Sequence, residues 1–202
     1  DQAFDVHLRL LGDHQIDNVR TAITVINQLQ RFGITTINEK TSTGISNVQW
    51  PARNQLVADK PTPIFVDGAH NDASGAALLK SVEKLFPNRN NVIVILGTVR
   101  GHDPSVVARE LRPLSPKFIT TQSRHPKSLT DLELSDALGD SKMVVSANTI
   151  KTVDALECAK RLANSDDLIL GTGSLFIAAE IIEIEHGFEP ELYPDIKLPP
   201  RP

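Results

Sequence analysis

Apolar positions along the chain fall into two rhythms. Phe4, Val6, Leu8 and Leu10 alternate with polar partners, which predicts extended backbone from Phe4 to Leu11. Ile16, Val19, Ile23, Ile26 and Leu29 then recur at helical spacing. Asp13 stands where a cap belongs and Gly33 where a helix stops. The polar stretch from Asn38 to Asn47 is assigned no element and leads to Trp50-Pro51, where the main boundary is placed. Beyond it, short apolar runs predict strands at Gln55–Ala58, Ile64–Val66, Val92–Leu96, Phe118–Thr120, Met143–Val145 and Leu168–Leu170. Helices are predicted at Ala73–Leu85, Pro104–Leu111, Leu132–Leu138, Thr152–Leu162 and Leu175–Glu185, the first burying Ala76, Leu79, Val82 and Leu85.

Strands that alternate with helices imply right-handed crossovers, and continuous apolar strands imply burial on both faces. The expected fold is an α/β domain of three layers, α/β/α. Its sheet is mostly parallel, with about six strands and one antiparallel edge strand. Ligands of such sheets sit at the carboxyl ends of the strands, so the loops after Val66, Leu96, Thr121 and Leu170 are where chemistry is sought. The chain divides into residues 1–46, a domain at 47–189 and a proline-rich tail at 190–202.

Composition narrows the classes. With 202 residues, 40% hydrophobic and 23% charged, there is enough apolar material for a sizeable core. A net charge of −4 provides no basic field for nucleic acid or an acidic membrane. The longest apolar runs are too short to span a bilayer. The single cysteine, Cys158, excludes an internal disulfide and a multi-cysteine zinc site, and fits a reducing cytoplasm. Within its helical pattern it reads as a buried, inert thiol.

Five loops carry candidate chemistry. Asp67-Gly68-Ala69-His70-Asn71 crowds three polar side chains at a helix start, where free amides and the positive dipole end favour an anion. Asp67 and Asn71 are equally suited to cap that helix. Arg53, in Trp50-Pro51-Ala52-Arg53, is either a bidentate phosphate clamp or a solvated arginine beside a packed tryptophan. Gln15 and Asn18 share a helix face at i, i+3 after Gly12-Asp13-His14. An amide there can read a purine edge or simply face solvent. Gly171-Thr172-Gly173-Ser174 begins like a dinucleotide fingerprint but has Phe176 at the third glycine position. It remains a possible anion turn or an ordinary cap. Arg100, His102 and Asp103 follow Gly97, with Asp103 also suited to cap the next helix. No G-x-x-x-x-G-K-[ST] run is present, no spacing suggests a structural metal, and Ser174 lacks the G-x-S-x-G elbow.

In order, Gly-x-His-Gln-x-x-Asn (residues 12–18), Trp-Pro-x-Arg (50–53), Asp-Gly-Ala-His-Asn (67–71), Gly-x-x-x-x-x-Asp (97–103) and Gly-Ser (173–174) resemble the folylpolyglutamate synthase and dihydrofolate synthase family, which belongs with the Mur ligases. The similarity runs from about Phe4 to about His186. It implies a Rossmann-like C-terminal glutamate-ligase domain, preceded in residues 1–46 by the end of a central ATPase domain and an interdomain helix. The family uses ATP to phosphorylate a folate carboxylate, and the amine of L-glutamate then attacks the acyl phosphate. Mg2+ and the P-loop belong mainly to the N-terminal domain, so no metal site is expected in this chain, and the isolated chain is expected to be inactive. By motif, Asn18 would contact adenine, Arg53 the phosphates and Asp67 the ribose. His70 would stand by the reaction centre, and Ser174 and Asn71 would hold glutamate. Gln15, Asp103 and Lys127 match weaker positions.

Four residues depart from the family pattern: Ala52 for glycine, Asp72 for proline, His102 for lysine and Lys127 for arginine. A Mur-type peptidoglycan ligase and a non-catalytic nucleotide-binding module are the alternatives, along with a less compatible nicotinamide dehydrogenase.

Overall fold

The structure, a computed structural model, describes residues 5–34 and 38–193. Helices α1 (His14–Gln30) and α2 (Asn38–Ser46) precede strand β1 (Gln55–Ala58). Then come β2 (Ile64–Val66), α3 (Asp72–Leu85), β3 (Val92–Leu96), α4 (Pro104–Glu110), β4 (Lys117–Thr121) and α5 (Asp131–Asp140). The chain continues through β5 (Val145–Thr149), α6 (Thr152–Leu162), β6 (Leu168–Thr172) and α7 (Leu175–His186). The strands form one sheet in the order β1-β2-β6-β3-β4-β5, in which only the β1–β2 pair is antiparallel.

Alternate strand residues feed two cores. Phe65, Val94, Phe118 and Leu170 point towards α3, α4 and α5, meeting Leu78, Val82, Val107, Leu111 and Leu138. Ile64, Val66, Ile93, Ile119 and Ile169 point the other way, onto Ala155, Leu156, Ile177 and Ile181 of α6 and α7. This is the three-layer arrangement expected from the sequence. Because β6 lies between β2 and β3 while its following helix α7 covers the opposite face, the chains leaving these neighbouring strands diverge and open a crevice at the carboxyl edge.

Several elements differ from expectation. Residues 5–11 form no strand, and Phe4 and the tail beyond Tyr193 lie outside the described residues. Alternation alone provides no partner edge, and no described strand pairs with this segment. Residues 38–46 are helical although polar, because one apolar anchor, Ile45, is buried. The fifth strand begins at Val145 rather than Met143. Met143 belongs to the turn closing α5, where its amide donates to Leu138 O after Lys142 at φ 58°. As an edge strand β5 buries only alternate residues to any degree, so a polar run, Val-Ser-Ala-Asn-Thr, suffices. The buried face of α3 is Gly75, Leu78, Ser81 and Val82, rotated from the expected stripe, and Leu85 is exposed. Cys158 is half-buried against the α6–α7 core rather than fully enclosed.

Gly97 shows how tightly the carboxyl edge is packed. A Cβ there would stand 2.7 Å from the Thr121 carbonyl oxygen and 2.6 Å from Ile177 Cδ1. Gly97→Ala is therefore expected to lower stability by about 1–3 kcal/mol, read as a reduced denaturant midpoint at unchanged m. A midpoint equal to the parent's would show that the edge has slack.

Candidate functional site

The turn before β1 is built on two left-handed residues, Ala52 (φ 61°) and Asn54 (φ 44°), which flank Arg53. Glycine would suit the first position, so Ala52 is held there at a conformational cost. Asparagine tolerates the second. The turn is fastened to the end of β2 at two points: Asn54 N donates to Asp67 Oδ2 at 2.9 Å, and Gly68 N donates to Ala52 O at 3.1 Å. Asp67 is thus 6% exposed and structurally engaged. Burial pushes its carboxyl above the usual carboxylate range, against the opposing pull of the Asn54 and Ala69 amides and of nearby Arg53 and His14.

Asn54, unmarked by the sequence reading, ties three elements together. Its Nδ2 donates to Leu11 O at 3.1 Å and to Ser81 Oγ of α3 at 2.8 Å, while its Oδ1 is buried without a partner. Gly12 passes so close that a Cβ would stand 2.5 Å from Asn54 Nδ2.

On the far side of this turn lies a cleft of about 540 Å³ whose lining includes Gln15, Asn18, Val19, Ile45, Trp50 and Arg53. It gathers Asn18 and Arg53 of the four expected nucleotide-binding residues, together with Gln15; Asp67 and His70 are not in its lining. Asn18 Nδ2 donates to Gln15 Oε1 at 2.9 Å, and Gln15 Nε2 lies 3.0 Å from His14 Nε2. Gln15 is buried and its carbonyl oxygen accepts from Asn18, which fixes the Asn18 side chain. Asn18 keeps its carbonyl oxygen and one amide hydrogen unengaged among the described residues.

Across Asp67, the carboxyl-edge loops join into a ring. His70 Nδ1 lies 2.9 Å from Gly68 O; a carbonyl only accepts, so Nδ1 is the donor, and Nε2 has no hydrogen-bond partner among the described residues. The His70 ring meets His102 edge-on at 4.9 Å. The loops after β3 and β4 pair through Val99 and Ser128, with Arg100 N donating to Lys127 O at 2.8 Å. His125 stacks on Phe176 at 4.0 Å, which brings the β4 loop against the start of α7. His70, His102, Lys127 and Ser174 thereby belong to one continuous rim.

Several candidates also cap helices. Asn71 and Ser74 form a reciprocal capping box at α3, so Asn71 Oδ1 is engaged locally. Asp72 opens that helix at its first position, where an acid is as suitable as proline. Asp103 caps α4 through Ser105, whose hydroxyl and amide hold the Asp103 carboxyl below its usual range. Ser174 caps α7 by accepting from Phe176 N at 3.1 Å and is 5% exposed. Arg100 is engaged in an exposed ion pair with Glu133. Among the described residues no group of three or more His, Cys, Asp or Glu could hold a metal ion. No helix among them is long and apolar enough to cross a membrane.

Because Asp67's folded-state carboxyl is raised, its contribution to stability is fully present below about pH 4 and is lost as pH rises through the folded value. Asp67→Asn removes that loss. The melting temperature of the variant minus that of the parent is expected to become more positive as pH rises from about 4, measured in a pH series. A difference independent of pH would contradict a raised carboxyl.

Residues 52–175 match the family described as Mur ligase, glutamate ligase domain. The dihydrofolate synthase/folylpolyglutamate synthase of Bacillus subtilis (strain 168) is 24% identical over 178 residues, covering 88% of this chain and 40% of the relative. The chain therefore spans about two fifths of that relative's length. The structure of Mycobacterium tuberculosis folylpolyglutamate synthase complexed with ADP and AMPPCP superposes with a TM-score of 0.78 at 23% identity, covering 93% of this chain and 43% of that one. A bifunctional folylpolyglutamate synthase/dihydrofolate synthase with Mn, AMPPNP and L-glutamate bound gives a TM-score of 0.74 at 18% identity, covering 92% of this chain and 42% of that one. At these identities the superpositions establish the fold.

Proposed function

The chain belongs to the Mur ligase, glutamate ligase domain family, and from that premise we propose that it is the C-terminal part of an ATP-dependent ligase that joins L-glutamate to a reduced folate or to dihydropteroate. The observation that supports this best is the placement of Asp67. It stands between the Asn18–Arg53 cleft on one side and the ring of His70, Lys127 and Ser174 on the other, so a nucleotide in the cleft would point its phosphates at the rim. ATP would supply the phosphoryl group that activates the folate carboxylate, with Mg2+ held mainly by the companion ATPase domain.

The chain's own residues would bind and orient. Asn18, aimed by Gln15, reads the base. Asp67 accepts a ribose hydroxyl through the oxygen not taken by Asn54. Arg53, held between two left-handed residues, neutralises phosphate charge. His70 offers Nε2 at the phosphate end of the site. Ser174 and Lys127 receive the amino acid, with Asn71 contributing its amide nitrogen and Asp103 its ionised carboxylate nearby. Mn beside AMPPNP in the relative's structure supports a divalent metal in the complete site. The 1–46 segment fits the role of interdomain connection, because no residue of the α1 apolar stripe is fully buried: Ile16 is 48% exposed, and Val19, Ile23, Ile26 and Leu29 are half-buried. A cytoplasmic setting follows from this reading, since its substrates are intracellular metabolites.

The complete ligase is expected to release ADP only when both glutamate and a pterin acceptor are present, while this chain alone releases none. His70→Ala in the complete ligase is expected to lower turnover roughly 100-fold or more with an unchanged melting temperature. Unchanged turnover would remove His70 from the mechanism, and acceptor-dependent ADP release by the isolated chain would overturn the division of labour.

A further inference from the structure

Helix α7 is apolar along most of its length, Leu-Phe-Ile-Ala-Ala-Glu-Ile-Ile, yet Glu180 sits in its middle at 2% exposure. A carboxylate buried so deeply needs partners, and it has them. Oε1 accepts from Arg124 N at 2.7 Å, and Oε2 accepts from Thr152 Oγ1 at 2.6 Å. The Arg124 side chain turns back to the same helix, with Nε 3.8 Å from Glu180 Oε1 and its terminal nitrogen paired with Glu183.

The loop after β4, residues 122–129, is thus held by its backbone and by its first cation at once. Its second cation, Lys127, makes no ion pair among the described residues. The rest of the loop is equally fixed. Ser123 Oγ and Ser128 Oγ lie 2.8 Å apart across its base, and His125 stacks on Phe176, two residues past Ser174.

We propose that Glu180 is a positioning residue for the amino-acid site: by anchoring Arg124 to α7 it fixes the β4 loop against the Ser174 turn and leaves Lys127 as the loop's free cation for a carboxylate of the incoming amino acid. The anchoring stands on the geometry alone, whereas the assignment to the amino-acid site rests on the ligase reading above. Without the buried carboxylate, the guanidinium would keep Glu183 alone and the Arg124 backbone would lose its charged acceptor, so the β4 loop would be held less firmly against α7 and Lys127 would be less precisely placed.

Two measurements on Glu180→Gln separate these parts. The amide isostere keeps an acceptor for Arg124 N, weakens it by removing the charge, and leaves Glu183 as the guanidinium's carboxylate partner. In this chain, hydrogen exchange of a peptide covering residues 122–129 is expected to quicken roughly ten-fold, with peptides from β3 and β6 unchanged. Exchange equal to the parent's, or a rise shared by the sheet, overturns the anchoring whatever the enzyme does. In the complete ligase the KM for glutamate is expected to rise roughly ten-fold while the KM for ATP stays within about two-fold. An unchanged KM for glutamate, or a parallel rise in both constants, overturns the positioning role. If the ligase shows no glutamate-dependent turnover at all, the functional reading fails, and with it the positioning role, while exchange still decides the anchoring. Should Glu180→Gln not fold, Arg124→Lys loses the planar fork and Nε donor and is expected to give the same two shifts; parental values for it overturn the proposal.

Discussion

Pairing of β6 with β2 on one side and β3 on the other sets the position of every loop that matters. The five parallel strands all end at the same edge. The strands flanking β6 send their chains to one face and β6 sends its own to the other. The close approaches at Gly97, Gly171 and Gly173 are what this packing requires: a methyl group at any of them would stand within 2.7 Å of a neighbour. Strand β1 adds the Trp50–Asn54 turn to the same edge, since its antiparallel pairing places its start beside the end of β2. A crevice with four loops and one turn around it follows from strand order before any side chain is considered.

Within that frame the polar groups serve two purposes that compete. Asp67 holds the Arg53 turn through Asn54, and the cost is a carboxylate kept where its charged form is disfavoured. Asn54 holds the Leu11 segment to α3, and the cost is a buried carbonyl oxygen with no partner. Orphaned acceptors of this kind cost roughly 1–3 kcal/mol each. A scaffold selected for stability alone would fill these places with apolar residues. Their presence on both sides of the cleft fits a site where placement of a charge outweighs stability.

Much of this was legible in the sequence, for physical reasons. Five of the six strands are doubly buried or flanked by turn residues, so their apolar runs stand out, and the helices between them show clear spacing. The polar edge strand β5 was misplaced because half-burial leaves a weak pattern, and α2 escaped because a single isoleucine anchors it. Motif order singled out Asn18, Arg53, Asp67, His70 and Ser174, most of which stand where an element begins or ends. It did not find Asn54 or Glu180. Their roles come from contacts across 43 and 56 residues, Leu11 with Asn54 and Arg124 with Glu180, which no local pattern encodes. Gln15 lines the cleft as the motif suggests, and its burial and its hydrogen bond from Asn18 add a supporting contact that spacing does not reveal. Asn71, Asp103 and Ser174 each take up the capping duty that was the plainer alternative for them.

The central claim is that the cleft behind Asp67 receives the base of a nucleotide whose phosphates reach the carboxyl-edge rim. Photolabelling of the complete ligase with 8-azido-ATP, followed by peptide mapping, tests it most directly. The account predicts ATP-protectable label in the peptides covering residues 14–22 or 48–53 of this chain. Label confined to other segments, or label that excess ATP does not displace, would contradict it.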